Sequence, residues 1–278
     1  MDFVRLLDFG EVTPLRSQAL YHGLARVMTE SSPDTIILCQ SSETCFCVGY
    51  HQDPQVELDI EFCRTHGYPV LHRQIGGGTV VLDRDQILYQ IILHASRAPL
   101  RIDSIYEKFL AAPVATLCAL GIPATLEGTN EIEVRGRRIA GTGGGRIGDA
   151  MVVTGNLLFD FPYELMTRGW RTPSSTFRRL AGQALRRSVT TLRKELEYVP
   201  SMETVKKLLV QKYCDTLARP LVAGSLTAAE TVAVGEAETE LLEFRADGSL
   251  VRDDRVLKIA RGVYVRENER GAQLEVHE

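Results

Sequence analysis

Residues Arg135–Asp149 read "RGRRIAGTGGGRIGD", and the fold turns on how that stretch is taken. Glycine lets other groups approach the backbone closely, and adjacent guanidinium groups favour a negatively charged visitor. As a string, Gly143-x-Gly145-x-x-Gly148 satisfies the dinucleotide-binding pattern. That pattern works only where a strand feeds a helix, so that pyrophosphate meets the helix N-terminus. Here the chain continues "AMVVTGNLLFDF" (Ala150–Phe161), rich in β-branched residues with no helix start. A Rossmann site is excluded on that context. A P-loop is excluded as well, because no glycine run is followed by Lys and then Ser or Thr.

A second glycine run, "HRQIGGGTVVLD" (His72–Asp83), places Gly76, Gly77 and Gly78 between apolar strand sequences, with Arg73 just ahead of them. A short anchored loop of this kind presents consecutive backbone N–H groups, which suit a carboxylate or phosphate. Around these loops the periodicity predicts further elements. Thr13 as N-cap and Pro14 at the first helical position open a helix. "DTIILCQ", "TCFCVGY" and "QILYQIILH" read as strands, "LDIEFCRTHG" as a short helix ended by Gly67, and Ile102–Gly121 as a longer helix that Pro113 should kink. "NEIEVRGRRIAGTG" turns tightly at Gly136 and returns, with Arg137 and Arg138 on opposite faces of one strand. The chain becomes helical and basic after Tyr163, and Ser201-x-x-Thr204 caps a later amphipathic helix. From Ala223 it turns acidic and alternating, with "ADGS" as a hairpin turn. The expected class is α+β: a mainly antiparallel or mixed sheet flanked by helices over residues 1–222, plus a small β-rich module over 223–278.

The formal net charge of −4 gives no support for nucleic-acid binding through bulk positive charge, and no apolar run reaches membrane-spanning length. The N-terminus carries acidic residues where a signal peptide would be basic, so a cytoplasmic protein with no membrane partner is expected. Six cysteines (Cys39, Cys45, Cys47, Cys63, Cys118 and Cys214) lack paired spacing and read as buried, reduced thiols.

Taken together, these pieces carry a resemblance. "HRQIGGGTVVLD" with "QILYQIIL", "EGTNEIEVRGRRIAGTG", "VVTGNLLFDF", "CFCVGYHQDP" and "RRLAGQALRRSVTTLRKEL" resemble, in order and approximate spacing, the signature elements of the lipoate–protein ligase family, from about Leu6 to Leu217. The resemblance implies the biotin/lipoate ligase fold. It also implies an enzyme that makes an acyl-adenylate from ATP and lipoic or octanoic acid, with Mg2+. The acyl group then passes to a lysine of a lipoyl-domain protein, of the E2 type or the glycine-cleavage H type. Carried over by position, Arg73, Gly76, Gly77, Gly78 and Thr79 would line the acyl and phosphate site. Gln52 would stand at the family's early glutamine. Asn130 would lie near the nucleotide, Glu131 near the metal, and Gly141, Thr142 and Gly155 against the adenylate.

One position departs from the family. Arg138 occupies the place of the catalytic lysine whose ammonium sits on the acyl carbonyl and phosphate. A guanidinium keeps the charge but is planar and bulkier, so the exchange is not conservative. Val153 likewise stands where the family often has histidine. Three readings follow: a ligase with Arg138 as its catalytic cation, a non-catalytic relative or partner subunit that binds lipoate or lipoyl-AMP, or an octanoyltransferase drawing on acyl carrier protein. The third needs a nucleophilic thiol, and Cys118 reads as core. Residues 223–278 would be either a reduced accessory domain or a stabilising element.

Overall fold

The computed structural model describes residues 2–243, 255–268 and 271–277. The first half of the chain runs β1 (Val4–Val12), α1 (Pro14–Arg26), β2 (Thr35–Ser41), β3 (Cys45–Val48), α2 (Pro54–Glu57), α3 (Ile60–Thr65), β4 (Val70–His72), β5 (Val80–Leu82), β6 (Gln86–His94) and α4 (Ile102–Ala119). There follow β7 (Thr125–Glu127), β8 (Glu131–Val134), β9 (Arg137–Ala140), β10 (Thr142–Ile147), β11 (Ala150–Leu158), α5 (Tyr163–Gly169), α6 (Ser175–Ser188), α7 (Leu192–Glu195) and α8 (Met202–Leu217). β12 (Leu221–Ala223), α9 (Ala228–Glu243), β13 (Val256–Ala260), β14 (Val263–Asn268) and β15 (Gly271–Val276) complete the described chain. This is the mixed α+β class the sequence implies.

The main sheet has the order β10-β11-β6-β2-β1-β12. Its first four strands pair antiparallel, and β1 pairs parallel with both β2 and β12. β6 and β2 at its centre are nearly continuous apolar runs because both faces are covered. Ile36 and Leu38 face the core built with Leu110, Leu209 and Tyr213 of α4 and α8, while Ile37 and Ile92 face Leu20 and Leu24 of α1. Thr13 and Pro14 open α1 as expected, and α4 continues through Pro113 without a break.

Three expectations change. β4 and β5, which flank the Gly76–Gly78 loop, do not form a hairpin: the fully buried β3 lies between them, parallel to β4 and antiparallel to β5. The loop therefore spans a gap one strand wide. The "TGGGRI" stretch is not a loop at all but β10, the edge strand of the main sheet, with Gly148 in its turn. Residues from Ala228 to Glu243 are helical, where alternation suggested strands. Glu230, Ala233, Val234, Ala237 and Leu241 are its buried positions, a 3.6-residue stripe of mostly small side chains that reads weakly in sequence. This helix packs on α1, where a Cβ on Gly23 would lie 2.5 Å from the Val234 nitrogen. The C-terminal strands do form a small antiparallel sheet, β13-β14-β15, and the "ADGS" turn lies outside the described residues. That sheet packs on α6, with Leu257, Ile259 and Val265 sharing a core with Phe46, Phe177 and Trp170.

A buried ion pair fastens α9 to the sheet. Arg5 of β1 meets Glu230 through both carboxylate oxygens, with side-chain exposures of 9% and 10%. Burial alone would raise the Glu230 carboxyl, but hydrogen bonds from Arg5 and from the Thr227 N–H outweigh it and hold the acid below its ordinary range. Stability from this group is therefore full above about pH 4.3, where an unfolded Glu titrates, and is lost as pH falls through the lower native value. Glu230→Ala should cost about 3–5 kcal/mol by urea denaturation, because Arg5 is left buried and unpaired. The variant should also lose less stability than the wild type on acidification from pH 6 to pH 3.

Candidate functional site

The two glycine segments meet. The Gly76 N–H donates to the Gly144 carbonyl of β10 at 3.1 Å, which lays the loop across the edge strand. Here the bare backbone of β10 is required, since a Cβ on Gly143 would stand 2.8 Å from the Gly76 oxygen. Gly77 takes φ +112°, a conformation L side chains resist, and a Cβ there would press 2.6 Å from an Arg73 nitrogen.

Arg73 organises the loop. Its Nη2 donates to the Gly78 carbonyl at 2.7 Å and the Gly76 carbonyl at 3.3 Å, and its Nη1 donates to the Cys47 carbonyl at 3.2 Å. The residue is 7% exposed, yet among the described residues no carboxylate pairs with it. Carbonyls satisfy the N–H groups without neutralising the charge, and buried charges are ordinarily compensated. An anionic ligand would supply the compensation that the described residues do not.

Two connected cavities open at this guanidinium. A narrow slot of about 60 Å³ runs inward past Tyr21, Cys47, Leu82, Leu88 and Gln90. A broad cleft of about 420 Å³ runs outward past Asn130, Glu131, Arg138, Trp170 and the first residues of β13. Arg73, Val80, Gly141, Thr142 and Asn156 line both. Three buried polar atoms on these walls have no hydrogen-bond partner among the described residues: Gln90 Oε1 in the slot, and Glu131 Oε2 and Trp170 Nε1 in the cleft. Orphans of this kind call for an explanation, and a ligand supplies one.

The residues singled out in sequence converge here. Gln52, Arg73, Gly77, Gly78, Thr79, Asn130, Glu131, Arg138, Gly141 and Thr142 line the cleft, and Gly155 lines the slot. Gly76 lines neither, its role being the contact with β10. Gln52 Oε1 accepts from the Gly49 N–H at 3.0 Å and the Thr79 hydroxyl at 3.2 Å, holding Thr79 at the rim. Thr142 donates its hydroxyl to the Asn130 carbonyl. Arg138 Nη2 donates to Glu131 Oε1 at 2.7 Å across the β8–β9 ladder. Arg137 turns to the other face and joins Arg135 on Glu195, as strand geometry requires. Val153 is buried in the main core.

Asn156, absent from the sequence reading, bridges the site. Its Oδ1 accepts from the Gly141 N–H at 2.5 Å and its Nδ2 donates to Gln86 Oε1 at 2.6 Å. A lone amide inside the apolar run "VVTGNLLFDF" was the available signal. Trp170 and Lys258 carry no local signal, because they come from segments distant in sequence. Two cysteine expectations are corrected. Cys118 is exposed rather than core, since it falls on the outer side of the last turn of α4, and Cys214 is half-buried. Cys118 lines neither cavity; Cys47 does. Burial pushes the Cys47 thiol up, and the nearby Arg73 offsets this only in part.

Residues 13–214 match the profile of the lipoyl protein ligase A/B catalytic domain. The "Probable lipoate-protein ligase A" of Mycoplasma pneumoniae is 23% identical over 235 residues, 84% of this chain and 65% of that protein, so the chain spans just under two thirds of this relative. The octanoyltransferase LipM of Symbiobacterium thermophilum is 22% identical over 249 residues, 81% of this chain and 90% of that protein. The fold matches a chain from an archaeal lipoylation system of Thermoplasma acidophilum, described as a bi-partite lipoate protein ligase and its E2 lipoyl domain. The TM-score is 0.79 at 19% identity, over 86% of this chain and 93% of that one. A lipoate-protein ligase A bound with ATP follows at 0.74 and 18%, over 87% and 97%.

The cysteine environments make a direct prediction. Treatment of the native protein with iodoacetamide at pH 8 should label Cys118 first. Cys47, Cys45 and Cys39, the last pushed up to about 12 by burial, should stay protected until the chain is denatured. Peptide mass spectrometry reads the order, and early labelling of Cys47 would contradict it.

Proposed function

The chain belongs to the lipoyl protein ligase A/B catalytic family, and within it we propose an ATP-dependent ligase acting on octanoic or lipoic acid. It activates the acid as an acyl-adenylate and passes the acyl group to a lysine of a lipoyl-domain protein, of the E2 or glycine-cleavage H type. The observation that carries this reading is the buried Arg73, with no carboxylate partner among the described residues, at the junction of a narrow slot and a wide cleft of mixed polar and apolar lining. An aliphatic acid fits that junction with its chain inward and its carboxylate on the guanidinium. The cleft is large enough for a nucleotide beside it.

In the first half-reaction a carboxylate oxygen attacks the α-phosphorus and pyrophosphate leaves. In the second, the acceptor amine attacks the acyl carbonyl and AMP leaves. Arg73 holds the anionic group in both, and the Gly76–Gly78 loop keeps Arg73 in place. Arg138, oriented by Glu131, offers a second guanidinium to charge developing on the carbonyl or phosphate. The slot walls exclude water from the alkyl chain. Glu131 Oε2, the free oxygen of a carboxylate already bound on its other side, is the atom that would hold Mg2+. Among the described residues no cluster of three acidic, His or Cys ligands exists. That donor set suits a magnesium carried mostly by phosphates and water, with a single protein carboxylate.

The LipM relatives make acyl transfer from a carrier protein the competing reaction. It requires a thiolate at the site, whereas the thiol that lines the slot is Cys47, held protonated by burial. A non-catalytic binder is the remaining alternative, since Arg138 stands in place of the family lysine and is already paired.

Incubation with ATP, Mg2+, octanoate and a lipoyl domain should add the octanoyl mass to the acceptor and release AMP. Acylation from octanoyl-acyl carrier protein without ATP would establish the transferase instead. Binding without any transfer would establish the binder. Arg73→Ala should lower kcat/KM by about 10²–10³, roughly 2.7–4 kcal/mol, as expected for loss of a donor to developing charge. Arg138→Lys separates a fully adapted guanidinium, which loses rate, from a weakened one, which gains it.

A further inference from the structure

The inner end of the slot carries polar groups that a plain alkyl chain does not need. Gln90 of β6 and Thr154 of β11 are cross-strand partners, as are Leu88 and Asn156. Asn156 lines both cavities, whereas Thr154 and Gln90 line the slot alone. Two residues along a strand span about 7 Å, so Gln90 lies one side-chain step inward from the junction. Leu88 and Gln90 share the face of β6 turned to the slot, and α1 adds Gln18 and Tyr21 to the same lining.

The polar neighbours of Gln90 have partners among the described residues. The Tyr21 hydroxyl donates to Gln18 Oε1 at 3.1 Å, and Gln18 Nε2 donates to the Ser17 hydroxyl at 3.2 Å. The Thr154 hydroxyl is turned to the Gly143 carbonyl at 3.5 Å. Gln90 Nε2 donates to the Ser17 carbonyl at 2.6 Å, which fixes the amide's orientation, since a carbonyl accepts only from the nitrogen. Gln90 Oε1 is left over. The residue is 2% exposed, and no donor among the described residues reaches that oxygen.

A buried acceptor without a donor is destabilising, and a purely aliphatic chain in the slot would seal this one in that state. A donor on the chain satisfies it. A hydroxyl is the smallest donor a carbon chain can bring, and the slot, at about 60 Å³, is narrow. Sites built to meet a polar group discriminate steeply against analogues that lack it.

We propose that Gln90 sets the acyl specificity of the site, and that the preferred acid carries a hydroxyl on its chain, donated to Gln90 Oε1. This rests on the ligase reading above and narrows its substrate from an aliphatic acid to a hydroxylated one.

Isothermal titration compares octanoate with octanoates bearing a hydroxyl at each carbon from the fourth to the seventh, and with the matching keto acids. A keto oxygen is close to a hydroxyl in size but cannot donate. Failure of the wild type to bind any acid ends the ligase reading and this inference with it. With binding established, one hydroxy acid should bind the wild type about tenfold or more tighter than octanoate, and its keto counterpart should lose that gain. Gln90→Leu should erase the preference. Octanoate or a keto acid binding as tightly as every hydroxy acid would overturn the inference and leave the ligase reading standing, as would a preference that survives in Gln90→Leu. Should that variant fail to fold, because the Ser17 carbonyl loses its donor, a crystal structure of the wild type with the best-bound acid decides. A hydroxyl within hydrogen-bond distance of Gln90 Oε1 supports the assignment, and one directed elsewhere overturns it.

Discussion

The structure of the site depends on one buried charge. Arg73 sits under the glycine loop with its hydrogen bonds directed to backbone carbonyls and the Cys47 sulfur and, among the described residues, with no acid to neutralise it. That arrangement costs free energy in the absence of an anion, because carbonyl dipoles compensate a cation only partly. It constrains the surroundings accordingly. Gly77 must accept a positive φ to bring its neighbours' carbonyls inward, and β10 must be nearly bare so that the loop can lie on it. The sheet edge, the loop and the guanidinium form one device, and the two cavities open on either side of it.

The second tier of the site is electrostatic rather than steric. Arg138 of β9 sits opposite Glu133 in the ladder and reaches diagonally to Glu131 of β8, and the C-terminal sheet closes the far wall through apolar packing on α6. The ion pair fixes the direction of the Arg138 fork, which a lysine in the same place would not need. One oxygen of Glu131 remains buried and unsatisfied, so the pair is itself incomplete without a ligand.

Much of this was legible in the sequence, and the gaps have physical causes. Apolar runs such as "QILYQIILH" announce a strand covered on both faces, and Thr13-Pro14 announces a helix start, because these signals are local. Arg73, the triple glycine and Arg138 were legible because unusual backbone and charge sit side by side there. "TGGGRI" misleads, since its strand character comes from pairing with β11 and not from its own residues. The helix at Ala228–Glu243 is hidden because its buried stripe is short and weakly apolar, two alanines, one valine and one leucine with Glu230 among them. Lys258 and Trp170 could not be assigned from spacing, since only tertiary packing brings β13 and the end of α5 to the cleft.

The account stands or falls on whether an anion meets Arg73. The most direct measurement is a crystal structure with the octanoyl-sulfamoyl adenosine bound. The prediction is an alkyl chain in the slot beside Tyr21 and Leu88, with the sulfamoyl oxygens or acyl carbonyl within hydrogen-bond distance of the Arg73 guanidinium or the Gly77–Gly78 backbone. An analogue bound away from this junction, with Arg73 still holding only carbonyls, would contradict it.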